Sequence, residues 1–168
     1  MPTSSRREAV QDASLEIAVR AIIHHHQTTM NNVTPITHLI IHCTATPEGR
    51  DVTLKDVDRW HRQLGWNGCG YHYLITLDGR IHPARPLYQA GAHCRGYNTH
   101  SIGIAYVGGV ERDGRTPKDT RTAAQRQSLS TLVKGLHRLF PQARIVGHHD
   151  LNPNKACPCF NVSRLLTE

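Results

Sequence analysis

His38-Leu39-Ile40-Ile41-His42-Cys43 (HLIIHC) runs into Thr44-Ala45-Thr46-Pro47. A run this short and apolar, ending in a proline-bearing turn, predicts a buried strand rather than a helix. Working outward, Ser101 to Val107 (SIGIAYV) has the same character and predicts a second core strand, followed by a loop from Gly108 to Pro117. Between them, Thr53 precedes Leu54, Val57, Trp60, His61 and Leu64, an apolar stripe at helical spacing that Gly65 closes. Tyr71 to Thr76 (YHYLIT) meets Asp78-Gly79, a turn pair that returns Arg80 and Ile81 as the second arm of a hairpin. Thr122 with Gln125 forms a capping box, opening a long helix with Leu129, Leu132, Val133, Leu136, Leu139 and Phe140 on one face. Arg144 to Val146 is a short strand that delivers Gly147, His148 and His149 at its end. Strands interleaved with helices on this scale predict an α/β domain with helices covering its sheet. No internal repeat is visible.

The chain has 168 residues, enough for one domain with a core that needs no disulfides. Apolar residues make up 38%, and no run approaches the roughly 18 apolar positions of a membrane span. Residues 1–34 read as an N-terminal extension and 35–168 as the domain. Within the extension, Arg6 to Ile23 has Val10, Ala13, Ile17 and Ala21 near helical spacing. His24, His25 and His26 then lead into the polar run Gln27 to Asn32, which reads as a solvated helix end and linker. Deleting residues 1–30 is therefore expected to leave the fold intact. Glu8, Gln11, Asp12 and Glu16 interrupt any apolar signal core, so the chain is expected in the cytoplasm of the producing cell, acting elsewhere only after release.

The net charge of +7 and a pI near 9.5 favour polyanionic partners, although solubility alone accounts for such a balance equally well. The five cysteines cannot all pair within one chain. Thirteen histidines, several beside cysteine, point toward metal. A zinc protein that binds nucleic acid would fit the charge, but the cysteines lack paired CxxC spacing and no basic helix carries interleaved aromatics.

Two segments carry the metal signal: Ile41 to Thr46 at a strand end, and Gly147-His148-His149-Asp150 with Cys157-Pro158-Cys159 beyond it. A hydrolytic zinc site needs three protein ligands and a position left open for water, whose pKa then falls to about 7. His42, one of His148 and His149, and one of Cys157 and Cys159 would supply that set, with Asn152-Pro153-Asn154 as the turn that folds the thiolate back. Spacing alone equally allows His42 to be an ordinary core histidine and the Cys-Pro-Cys pair to be inert or disulfide-prone.

The blocks IHCTAT, GWNGCGYHYLI, GAHCRGYNTHSIGIAYVGG and VGHHDLNPNKACPCF occur in this order from about Ile36 to Phe160. Together they resemble the phage-lysozyme type of zinc-dependent N-acetylmuramoyl-L-alanine amidase, within the amidase-2 and peptidoglycan-recognition-protein family. The resemblance implies a mixed central β-sheet flanked by helices, with one zinc ion on the floor of a substrate groove. It implies His42, His148 and Cys157 as ligands, and Tyr71 and Lys155 as catalytic residues that stabilise the oxyanion of amide hydrolysis. It places His93 at the groove as a substrate contact, with a core or ligand-supporting role close behind, and Arg95 and Asn98 beside it. Asp150 is a candidate acceptor for a ligand imidazole. One departure stands out: the segment from His148 to Cys157 is one residue longer than in the relatives, with Asn154 the extra residue.

The implied activity is cleavage of the amide between N-acetylmuramic acid and L-alanine of the stem peptide, with peptidoglycan as the partner. The alternative is a muropeptide-binding module of the same fold that does not cut. Members of that kind commonly lack the cysteine ligand, which this chain has. A phage or prophage endolysin of one compact domain, monomeric and released by a membrane-disrupting, holin-type partner, is the expected setting.

Overall fold

The computed structural model describes residues 4–27 and 35–167. A five-stranded sheet runs in the order β4-β3-β5-β1-β7. Its strands are β1 (His38–Cys43), β3 (Tyr73–Ile75), β4 (Ile81–Pro83), β5 (Ser101–Tyr106) and β7 (Arg144–Gly147). β1 lies parallel to both β5 and β7, β3 is parallel to β5, and only β4 is antiparallel, through the hairpin that pairs Ile75 with Ile81. A two-residue pairing of β2 (Thr46–Pro47) with β6 (Gly109–Val110) extends the loops beyond β1 and β5. The mixed sheet and flanking helices agree with the expectation from sequence.

Side chains alternate across a strand, so β1 serves two layers at once. Leu39, Ile41 and Cys43 join Ile102, Ile104 and Tyr106 of β5 beneath α3 (Ala123–Leu139). Ile40 packs on the other face with Cys94 and Val146, and His42 shares that face by its register. On this second face, Leu74 and Ala105 meet Val57 of α2 (Leu54–Gln63). Both helices begin as their sequences direct. Thr53 and Asp56 close a capping box on α2, and Thr122 and Gln125 close one on α3. The Gln125 amide also donates to the carbonyls of Ile75 (3.2 Å) and Val107 (3.0 Å), tying the helix start to two strand ends. Leu129, Leu132, Val133 and Leu136 are fully buried, each contributing about 2 kcal/mol. Leu139 departs from the expected face and is 43% exposed, since the helix ends there as the chain turns toward β7.

The N-terminal helix α1 (Ser4–Gln27) extends a few residues beyond the expected span at both ends, and its buried face is not the expected one. Val10 and Ile17 are exposed, whereas Val19 and Ile23 are buried and Leu15 and Ile22 pack partly against the same core. The helix lies on α3, where the absence of a side chain at Gly135 permits close approach: a Cβ there would sit 3.0 Å from Ile23 Cδ1. His24 and His25 face outward, but His26 is half-buried, its ring edge-on to Tyr73 at 4.8 Å. Most of the polar run 27–32, from residue 28 onward, lies outside the described residues.

Because α1 supplies core side chains, removal of residues 1–30 should destabilise the domain, against the expectation from sequence. Ile23→Ala should cost about 2–4 kcal/mol in urea unfolding. Ile17→Ala, on the exposed face, should stay within about 0.5 kcal/mol, and equal effects would contradict the packing of α1.

Candidate metal centre

β1 ends by presenting His42, which is 2% exposed. β7 ends in Gly147 and passes directly into a four-residue helix, α4 (His148–Leu151), whose first residue faces the same point. Asp150 accepts from the Gly147 amide (2.7 Å) and caps this turn. The chain then folds back. The Lys155 amide donates to the Asn152 carbonyl (3.0 Å), and the His149 amide donates to the Cys157 carbonyl (2.8 Å). Tyr106 Oη anchors the next residue by donating to the Pro158 carbonyl at 2.6 Å.

The result is a cluster in which one ligand atom each of His42, His148 and Cys157 lies within 4.8 Å of the others, an arrangement able to hold a metal ion. Cys157 Sγ is 3.7 Å from His42 Nδ1, and it accepts the Cys43 amide N–H at 3.2 Å. The ambiguity within each pair is resolved by position. His149 turns aside to Asp150 (3.2 Å) and the Ala156 carbonyl (3.3 Å), so Asp150 supports His149 and not the ligand candidate His148. Cys159 instead lies 3.9 Å from Cys43, sulfur to sulfur, with no disulfide between them.

The imidazoles are held neutral. Burial, with His93 and His148 adding to it, pushes His42 well below its ordinary value, and burial with Lys155 lowers His148. A neutral ring keeps a lone pair for a cation. Tyr71 stands with its ring 5.3 Å from that of His42. Burial, reinforced by Cys157, raises its phenol well above the usual range, so the hydroxyl keeps its proton at neutral pH.

Beside the cluster, a cleft of about 510 Å³ is lined by Trp66, His93, Arg95, Asn98, His148 and Lys155. Arg95 and Lys155 stand exposed at its rim. Asn98 is partly occupied: its Oδ1 accepts the amides of His93 and Cys94, both at 2.9 Å, and so shapes the loop. His93 is buried, with Nδ1 2.9 Å from His42 Nε2 and Nε2 3.2 Å from Ser101 Oγ. Both of its nitrogens are engaged within the protein, which departs from a purely substrate-facing role. A larger cleft of about 1140 Å³ between α2 and β4 contains none of the cluster residues.

Three residues at the site escaped the sequence reading. His61 accepts the Gly70 amide (2.8 Å), and its ring meets those of Trp66 (4.7 Å, tilted) and Tyr71 (5.3 Å, edge-on). His72 is fixed by the Gly103 amide (3.0 Å) and the Gln89 carbonyl (2.9 Å). Ser101 is the third. His72 and Ser101 were signalled only by placement in the motif blocks, and His61 only by its place on the stripe of α2, which spacing alone does not separate from core packing.

The family profile described as N-acetylmuramoyl-L-alanine amidase (Amidase_2) matches residues 32–160. The endolysin of Klebsiella phage KP32 is 37% identical over 126 residues, covering 75% of this chain and 82% of that one. Among solved structures, the endolysin amidase LysCS of Clostridium intestinale superposes with a TM-score of 0.63 at 28% identity, covering 80% of this chain and 86% of its own. A mutant of Drosophila PGRP-LB in complex with tracheal cytotoxin gives 0.63 at 25% identity, covering 76% and 78%. With the fold, the cluster and the match over most of its length in agreement, the chain belongs to the N-acetylmuramoyl-L-alanine amidase family.

Proposed function

We propose that this peptidoglycan amidase hydrolyses the bond between N-acetylmuramic acid and L-alanine with one zinc ion held by His42, His148 and Cys157. The observation that carries the metal assignment is the convergence of two neutral imidazoles and one thiol. A tetrahedral zinc with one imidazole and one thiolate places nitrogen and sulfur about 3.6 Å apart, close to the 3.7 Å between His42 Nδ1 and Cys157 Sγ. Two nitrogens and one sulfur suit zinc better than the oxygen-loving divalent ions. Three protein donors leave the fourth position free, as hydrolysis requires. Bound there, zinc supplies Lewis acidity toward the scissile carbonyl and brings a water's pKa near 7.

The remaining roles fall to the chain. Tyr71, protonated and next to His42, donates a hydrogen bond to the oxygen on which negative charge develops. Lys155 brings a positive charge to the lining of the adjoining cleft. Arg95 and the free amide nitrogen of Asn98 are positioned to meet carboxylates and amides of the stem peptide. A relative of this fold has been captured with tracheal cytotoxin, which supports peptidoglycan as the ligand class. The similarity to phage endolysins supports action on the cell wall; release by a membrane-disrupting partner and a monomeric state belong to the same proposal. Among the described residues no helix is long and apolar enough to cross a membrane.

Purified peptidoglycan digested with the protein should release stem peptides beginning at L-alanine, detected by mass spectrometry. Chelator should abolish the release and zinc restore it. Retention of muropeptides without release would instead favour a recognition module. Cys157→Ser should lose zinc and activity together, so stoichiometric zinc with full activity would remove Cys157 from the ligand set. Tyr71→Phe should retain zinc while turning over about 100- to 1,000-fold more slowly, and an unchanged rate would exclude Tyr71 from the mechanism.

A further inference from the structure

We infer that His93 and Ser101 are positioning residues that fix which nitrogen of His42 is offered to the metal ion. The inference rests on the proposed ligand role of His42. His42 Nδ1 faces Cys157 at 3.7 Å, and a nitrogen that coordinates a cation must present a lone pair. The proton of the neutral ring then resides on Nε2, which lies 2.9 Å from His93 Nδ1. His93 Nδ1 must accept, so its own proton sits on Nε2, 3.2 Å from Ser101 Oγ, which accepts in turn. Of the two proton arrangements that satisfy these contacts, only this one leaves the His42 Nδ1 lone pair for the cation. The reversed arrangement would aim an N–H of His42 at the cation.

The surroundings hold this chain in place. A Cβ at Gly91 would lie 2.3 Å from His93 Cδ2, and a Cβ at Gly103 would lie 2.6 Å from both Cδ2 and Cγ. The His93 ring therefore occupies a slot that two glycines leave open. His72 stands behind it at 5.7 Å between ring centroids, with both of its own nitrogens engaged by backbone groups. Ser101 reaches the slot because the period-two alternation of β5 puts Ser101, Gly103 and Ala105 on one face, while Ile102, Ile104 and Tyr106 enter the opposite core. Ser101 and His93 are 2% and 9% exposed, so solvent does not readily replace either bond.

Partners that orient a ligand histidine typically contribute about 10- to 100-fold in metal affinity. The test is zinc affinity of the full chain by competition with a chromophoric chelator, alongside thermal unfolding of the metal-free protein. Ser101→Ala should weaken zinc binding by about 10- to 100-fold with little change in metal-free melting temperature, and Ser101→Thr, which keeps the hydroxyl, should recover most of it. His93→Gln, whose amide can both accept from His42 and donate to Ser101, should retain more affinity than His93→Leu. The cobalt-substituted protein should show altered ligand-field bands in Ser101→Ala and wild-type-like bands in Ser101→Thr.

Unchanged affinity in both Ser101→Ala and His93→Leu, with affinity lost in His42→Ala, would overturn the positioning role alone. Equal losses in Ser101→Ala and Ser101→Thr, matched by a fall in metal-free stability, would overturn it in favour of packing. Unchanged affinity in His42→Ala would remove the ligand assignment and the positioning role with it.

Discussion

A buried imidazole must have both of its ring nitrogens satisfied, and His42 places one in the middle of a sheet covered on both faces. Much of the site follows from that demand. β1 has to carry apolar residues toward α3 at every second position, leaving the other register for Ile40 and His42. The neighbouring strand β5, which pairs Ala105 with His42, must be nearly bare on that face, hence Ser101, Gly103 and Ala105. The space so left is filled by His93. Burial also decides the charge state: desolvation keeps His42 and His93 neutral, and a cluster of protonated rings could not share one cation-binding point.

The loop that carries Cys157 is pinned on the far side of its turn. Asn154 lies exposed in a turn where its amide donates to Asn152 Oδ1 at 3.2 Å. Beyond the turn the chain is pinned by the bond between the His149 amide and the Cys157 carbonyl, by the Cys43 amide on the Cys157 sulfur, and by Tyr106 on Pro158. These bonds hold the sulfur in place independently of the turn. Lys155 sits between the turn and the pins, exposed, with its backbone amide bonded to Asn152. A flexible four-carbon stem tolerates a shift that a directly coordinating sulfur would not.

What could be read from the sequence was whatever depended on short-range pattern. The strands β1 and β5, the hairpin at Asp78-Gly79 and the capping box at Thr122 each state their structure within a few residues. The ligand set was half legible. Spacing proposed the types, but His149 against His148 and Cys159 against Cys157 were separated only by family resemblance, and then by where Asp150 and Cys43 lie in space. The buried face of α1 was not legible. Val10, Ala13, Ile17 and Ala21 make as good a helical stripe as Leu15, Val19, Ile22 and Ile23, and only the position of Gly135 on a distant helix selects the second. Ser101 was invisible for a related reason: a strand serine gives no sign of what stands across from it.

The distribution of charge gives the site its polarity. The net +7 is not concentrated at the floor, where two neutral imidazoles, a protonated phenol and a thiol surround the cluster. Positive charge enters at the rim, through Lys155 and Arg95. A cation held there, as proposed, would keep much of its charge for the substrate carbonyl. Under the proposed roles, Arg95 at the rim would meet the peptide and its carboxylates, in water where such a contact contributes little alone. Separating a neutral floor from a cationic rim lets the same cleft attract an anionic polymer and still leave the reacting carbonyl as the place where negative charge is best stabilised.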